Sequence, residues 1–305
     1  MSELLPQTIQ QFWTVLAMLY GFLSLSSILA WRFRRYASPG LQQQVNAWWL
    51  IFPVVTAALL LFPLGICLLF LLLMGLIGRE LSIHARQTRR FGVIALTSIT
   101  VYGLSALILT QSIQWPWLIQ SQLLLFGLAC AVFIPLALRQ QEVIACWWLS
   151  LCGLGLLFTA PFSGYSTDII FKTLFLLFVL TAFNDVAQFI SGKLLGKHRI
   201  APKISPHKTW QGLFGGILVT MILATLLGGY LHLADHNWLL ACGLGLSLCG
   251  FVGDFSLSFV KRQLAIKDFS SLIRGHGGIL DRVDSLIFTA PAWLGMVHFF
   301  PVGNL

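Results

Sequence analysis

The chain has 305 residues, 57% hydrophobic and 10% charged, with a mean hydropathy of +0.85 and a formal net charge of +9. A soluble domain carries about 25% charged residues, so a water-soluble globule, a disordered chain and a disulfide scaffold are all excluded. With Lys+Arg at 19 against Asp+Glu at 10, each charge needs a reason for its position.

In chain order, ten apolar stretches approach the roughly 20 residues that a helix needs to cross a hydrocarbon core about 30 Å thick. They are 11–31, 47–62, 63–77, 91–110, 117–138, 143–162, 169–190, 212–233, 238–258 and 283–300. The expected fold class is all-α, a polytopic integral membrane protein of nine to ten transmembrane helices. The second and third stretches are short and meet at Phe62-Pro63, as a tight hairpin or as one broken unit. Residues 1–165 are nearly featureless apolar helix and read as scaffold and lipid contact. Residues 166–305 hold the polar chemistry, and the two parts form one integrated membrane domain. Cys67, Cys130, Cys146, Cys152, Cys242 and Cys249 lie inside apolar runs without a CxxC spacing and read as small helix residues. Glu3 follows Met1 where a basic segment would open a signal peptide, so a cleaved one is not expected.

Every Lys and Arg except Lys172 falls in one of five gaps between these stretches, and with ten crossings the five gaps share one side. The excess of basic residues on cytoplasmic loops then places both termini outside. The first three basic gaps look like ordinary connectors. The last two, about 191–211 and 259–282, add Gly, Pro, Ser and His to their basic residues and follow helices with acids near their inner ends.

Asp185 lies about six residues before the fourth basic loop, roughly 9 Å below the inner helix end. Asp254 is similarly deep, while Asp281 and Asp284 open the last helix three residues apart, on one face. A carboxylate in hydrocarbon costs a few kcal/mol or more, so such groups face a polar cavity or a partner. The four read either as ion pairs that lock helices together or as ligands for Mg²⁺, with basic loops holding phosphates. Hard cations take carboxylate and phosphate oxygens, and Lys and Arg neutralise a phosphate chain.

The stretch from Ser258 to Asp284 carries Lys261-Arg262, Lys267-Asp268, Gly275-His276-Gly277-Gly278, Asp281-Arg282 and Asp284. It resembles the signature of the phosphatidate cytidylyltransferases, the CDP-diacylglycerol synthase family. Every charged position, the His and the two glycines after it match at the family spacing. Asn184-Asp185, Gly192-Lys193, Gly196-Lys197-His198 and Lys203 through Ser205-Pro206-His207-Lys208-Thr209 to Gly212 resemble the family's upstream element. Three positions depart from the pattern: Arg274 replaces a Pro, Phe189 a common Tyr, and His207 sits at a variable position.

The resemblance implies a membrane nucleotidyltransferase that joins CTP and phosphatidic acid into CDP-diacylglycerol, releasing pyrophosphate. It implies a cytoplasmic (inner) membrane location with the site facing the cytoplasm, and a homodimer among membrane lipids with no nucleic-acid partner. The implied cofactor is Mg²⁺, with a second, monovalent cation such as K⁺. The implied metal ligands are Asp254 and Asp281, then Asp284 and Asp185; for Asp185 an ion pair with Lys193 or Lys197 stays open. Lys261, Lys267 and His276 join Asp254 and Asp281 as catalytic candidates, and His276 also reads as a turn residue. Ser205, Lys208, Arg262, Asp268, Gly277, Gly278 and Arg282 are the candidates for substrate contact. Rival readings are a CTP-dependent lipid kinase, a cytidylyltransferase for another lipid phosphate, a secondary transporter and a non-catalytic relative. A transporter predicts midplane acids and an inverted repeat, neither of which the sequence carries.

Overall fold

A computed structural model of the protein describes residues 4–32, 39–109, 117–272 and 277–300. Ten α-helices run through these residues: α1 (Pro6–Arg32), α2 (Pro39–Leu60), α3 (Leu64–His84), α4 (Thr88–Leu109), α5 (Trp117–Leu138), α6 (Glu142–Thr159), α7 (Thr167–Leu195), α8 (Trp210–Tyr230), α9 (His236–Gln263) and α10 (Leu280–Phe299). Seven of them are long and apolar enough to cross a membrane by length and composition, so the chain is a polytopic, mainly helical membrane protein. The Phe62-Pro63 junction is a turn between two separate helices, α2 and α3.

Two corrections to the sequence reading follow. The gap at 191–211 is not a plain loop, since α7 continues to Leu195 and an antiparallel hairpin follows. Its strands are β1 (Arg199–Ala201) and β2 (Ser205–Thr209), with Ala201 opposite Ser205 and Arg199 opposite Thr209. Because α7 and α9 overrun the apolar stretches, Asp185 and Asp254 sit about 15 and 14 Å from their helix ends, at 1.5 Å per residue, farther than the roughly 9 Å expected.

Local chemistry sets the helix starts. Ser166, Thr209 and Asp235 cap α7, α8 and α9 by accepting the amide hydrogens of Ile169, Gly212 and Trp238. Lys172, the one basic residue outside the five gaps, pairs with Asp168 one turn earlier at 2.8 Å. α6 is apolar all round and nearly all buried, packing on α3, α5, α9 and α10. It is an internal strut rather than a lipid-facing helix.

Side-chain bonds tie basic gaps to one end of the bundle. Arg86 donates to Gln140, His84 Nε2 meets the Phe269 carbonyl at 2.8 Å, and Arg262 Nε donates to the Ile204 carbonyl at 3.0 Å. At the other end Gln11 donates to the Tyr230 carbonyl, and Tyr165 meets His298. The gap 33–38 holding Arg34 and Arg35 lies outside the described residues.

Candidate active site

Three helices deliver the four carboxylates: α7 brings Asp185, α9 brings Asp254, and the first two turns of α10 bring Asp281 and Asp284. α9 and α10 approach closely here, because a Cβ on Gly253 would lie 2.4 Å from the Asp284 carbonyl oxygen. Only a glycine beside Asp254 lets the two acid-bearing backbones sit at this distance.

Two of the acids are neutralised by lysines, one buried (Lys261) and one half-buried (Lys208). Asp281 Oδ1 accepts from Lys261 Nζ at 2.8 Å, and its Oδ2 accepts from the amides of Phe269 and Gly278, both at 2.9 Å. A carboxylate offers about four lone-pair sites, so three donors leave Asp281 one free site, on Oδ1. Asp254 Oδ2 lies 3.0 Å from Lys208 Nζ, and its Oδ1 accepts from Ser258 at 3.2 Å. With its side chain 39% exposed, Asp254 is the most open of the three acids that form ion pairs among the described residues.

The other two lack such a partner. Asp185 Oδ1 accepts from Ser285 Oγ at 2.9 Å and Asp284 Oδ1 from the Ser285 amide at 2.8 Å. Among the described residues neither has a Lys or Arg within 4.0 Å, and both lie within electrostatic reach of Asp254. Arg282 is exposed nearby without pairing with them. The alternative partners of Asp185 are not used: Lys193 lies over the Phe189 ring at 5.9 Å and Lys197 is exposed.

The β-hairpin earns its place through Lys208, on β2. Besides Asp254, its ammonium reaches the Phe251 carbonyl at 3.1 Å and stands 4.2 Å over the Phe251 ring, so three contacts on α9 fix it. Arg262 holds the hairpin turn from the far side through Ile204, and its Nη1 donates to the Ile266 carbonyl at 3.1 Å. Two of its five donors are thereby committed to structure. Ser205 is half-buried on β2, while Lys267, Asp268 and Arg282 are exposed. Gly277 has φ +78°, a left-handed backbone that suits glycine, and Gly278 is buried. His276, with Arg274 and Gly275, lies outside the described residues.

The N-terminal half contributes more than scaffold. Glu80 of α3, 2% exposed, accepts from Ser270 Oγ at 2.6 Å, the Ile279 amide at 2.8 Å and the Leu280 amide at 3.0 Å. Ser285 and Ser258, which bond the acids, also carry no assigned role in the sequence reading. A signal for Glu80 existed: acids are scarce, and this one sits near the basic end of its helix.

A continuous cavity of about 480 Å³ joins these parts. At one end it is lined by Asp185, Asp254, Lys261, Asp268, Asp281, Arg282 and Asp284. Its apolar length runs between α1, α2, α3 and α7, past Leu16, Phe52, Leu59, Leu73 and Phe178. Tyr20 and Thr56, bonded to each other at 3.2 Å, are polar side chains within that apolar stretch. The space is amphiphilic, charged at one end and greasy along its length.

The profile of the cytidylyltransferase family matches residues 42–300. The chain belongs to the cytidylyltransferase family. Over 126 residues, 41% of the chain, it is 44% identical to an uncharacterized protein, YnbB, of Escherichia coli strain K12, covering 42% of that protein. It is 40% identical over 37% of its length to a phosphatidate cytidylyltransferase of Staphylococcus epidermidis, covering 44% of it. A phosphatidate cytidylyltransferase of Brucella suis biovar 1 is 38% identical over 44% of the chain, with 52% of that protein covered. The matched segments thus span about half or less of these relatives.

A cytidylyltransferase handling a nucleoside triphosphate is expected to use a hard divalent cation, and the donor set bears on this. Among the described residues no three His, Cys, Asp or Glu side chains form a ready-made metal cluster. Mg²⁺ is usually held by one or two carboxylates plus substrate phosphates. Asp284, buried, and Asp185, half-buried, stand beside Asp254 with no cation of their own among the described residues, and fit that partial shell better than Asp281, whose oxygens are mostly taken.

Proposed function

We propose that this cytidylyltransferase transfers the cytidylyl group of CTP to phosphatidic acid at the cytoplasmic face of a membrane, forming CDP-diacylglycerol and pyrophosphate. The observation that carries the reading is the cavity with a carboxylate-lined end and an apolar length. A lipid phosphate needs both: chains held in grease, headgroup held where charge is managed.

An oxygen of the lipid phosphate attacks the α-phosphorus of CTP; a new oxygen–phosphorus bond forms as the bond to the β-phosphate oxygen breaks, and pyrophosphate leaves. A phosphate monoester is largely dianionic near pH 7, so the attacking oxygen needs no strong base. Catalysis is then positioning and charge neutralisation. Asp185, Asp254 and Asp284 are the residues that would hold Mg²⁺, which would supply counter-charge for two phosphate groups brought together. Lys208 and Lys261 hold Asp254 and Asp281 in fixed orientation, and the exposed cations Lys267 and Arg282 face incoming phosphates. The apolar walls of α1, α2, α3 and α7 seat acyl chains and exclude water from the lipid side. A monovalent second cation and a homodimer belong to the same proposal, as do ten crossings with both termini outside.

The test is product analysis with purified protein, phosphatidic acid, Mg²⁺ and CTP labelled at the α- or the γ-phosphorus. Label from the α position entering the lipid, with none from the γ position, is the expected result. Entry of γ-label alone makes the protein a CTP-dependent lipid kinase and overturns the proposal.

A further inference from the structure

We infer that Glu80 is a positioning residue for this site: from the N-terminal half it clamps both ends of the segment that orients the Asp281 carboxylate. The inference rests on the cytidylyltransferase reading above for its catalytic meaning, and on geometry alone for the clamp.

Ser270 Oγ reaches Glu80 Oε1 from one end of the segment, and the amides of Ile279 and Leu280 reach Oε1 and Oε2 from the other. Directly next to these anchors in the chain lie the two amides that hold Asp281 Oδ2: that of Phe269, just before Ser270, and that of Gly278, just before Ile279. One carboxylate therefore fixes the spacing of the donors that aim another. His84, one turn beyond Glu80 on α3, adds a bond to the Phe269 carbonyl. The approach is too close for any side chain at Gly278, where a Cβ would stand 2.6 Å from both Glu80 carboxylate oxygens. That gives the second glycine of the Gly277-Gly278 pair a physical reason.

Glu80 has no Lys or Arg within 4.0 Å among the described residues; its charge is met by neutral donors at the start of α10. A helix N-terminus is otherwise a ready anion site. Here that place is filled from within, so incoming phosphates are left to the lysine and arginine side chains. If the clamp is removed, the first turn of α10 loses two bonded amides. Asp281 then loses its fixed relation to Phe269 and Gly278, and Lys261 is released toward the cavity.

The experiment uses the full chain in detergent or lipid nanodiscs, comparing wild type, Glu80→Gln and Ser270→Ala. Cytidylyl transfer kinetics over a range of CTP are read beside amide hydrogen exchange and thermal unfolding. Glu80→Gln is expected to lower kcat about 10–100-fold, as loss of an orienting partner does, with KM for CTP nearly unchanged. Its exchange should rise at residues 278–281 and stay at the wild-type level in α6 and α7. Ser270→Ala should move the same readouts in the same direction by less, and it covers the case in which Glu80→Gln does not fold. Unchanged kcat in both variants overturns the inference, as does activity lost together with faster exchange through all helices. A wild type that transfers no cytidylyl group sinks the proposed function instead; the clamp then stands if exchange rises locally at 278–281 and falls if it does not.

Discussion

Lys261 is the cation whose loss should be felt most in stability. It is buried on α9 with its ammonium 2.8 Å from the equally buried Asp281. Removing one partner of a buried pair leaves an uncompensated charge and costs about 3–5 kcal/mol. Lys261→Met should therefore lower the unfolding temperature strongly in detergent, while the paired change Lys261→Met with Asp281→Leu should recover much of it without recovering activity. Equal unfolding temperatures for wild type and Lys261→Met would count against a buried, paired lysine. At this scale the positions of the acids were legible because charge is so rare in the chain. Their partners were not. Asp185 bonds Ser285, a hundred residues away, and Lys193 is out of its reach because α7 stays helical, placing them eight residues or about 12 Å apart along the axis. Glu80 was visible as a charge, but its three donors come from a segment about 190 residues later, which spacing along one helix cannot reveal.

Among the elements, the α9–α10 contact sets the distance between acids. Gly253→Ala would put a methyl group 2.4 Å from the Asp284 carbonyl oxygen, so the helices must separate. Overpacking of this kind costs about 1–3 kcal/mol, and it moves Asp254 relative to Asp284. The expected outcome is a modestly lower unfolding temperature with a disproportionate loss of cytidylyl transfer; unaltered transfer would mean that the spacing of α9 and α10 does not matter. The helical, membrane-spanning character was readable from apolar length alone, though only seven helices among the described residues are long and apolar enough to cross, and the Phe62-Pro63 punctuation marked a boundary, now seen as a turn between α2 and α3. The β1–β2 hairpin was not, since its strands of 3 and 5 residues show no clean alternation of apolar and polar side chains. It is held by Lys208 reaching α9 and by Arg262 of α9 reaching Ile204, tertiary contacts that local pattern does not encode.

Taken whole, the molecule arranges two halves of unequal legibility around one cavity. The polar end was read from the residues of α7, α9 and α10 and from the signature they carry. The apolar wall was not, because α1, α2 and α3 look like any lipid-facing helix until their Leu and Phe side chains are seen lining the same space. The bundle thereby holds four buried or half-buried carboxylates at one place with two paired lysines, an arrangement poor for stability and suited to a cation and phosphates. Stability given up at a functional site returns when the strained group is neutralised.

Asp284→Asn is the most direct test, because Asp284 is buried, lacks a cationic partner within 4.0 Å and lies near Asp254 and Asp185. Unfolding temperature in EDTA and the rate of α-label transfer from CTP to phosphatidic acid would be measured on the same preparations of wild type and variant. The account predicts an unfolding temperature equal to or above wild type, with transfer reduced at least about 100-fold, the scale on which losing one electrostatic group at a reacting centre acts. A variant that transfers label at the wild-type rate, or loses transfer only because the bundle unfolds, would contradict it.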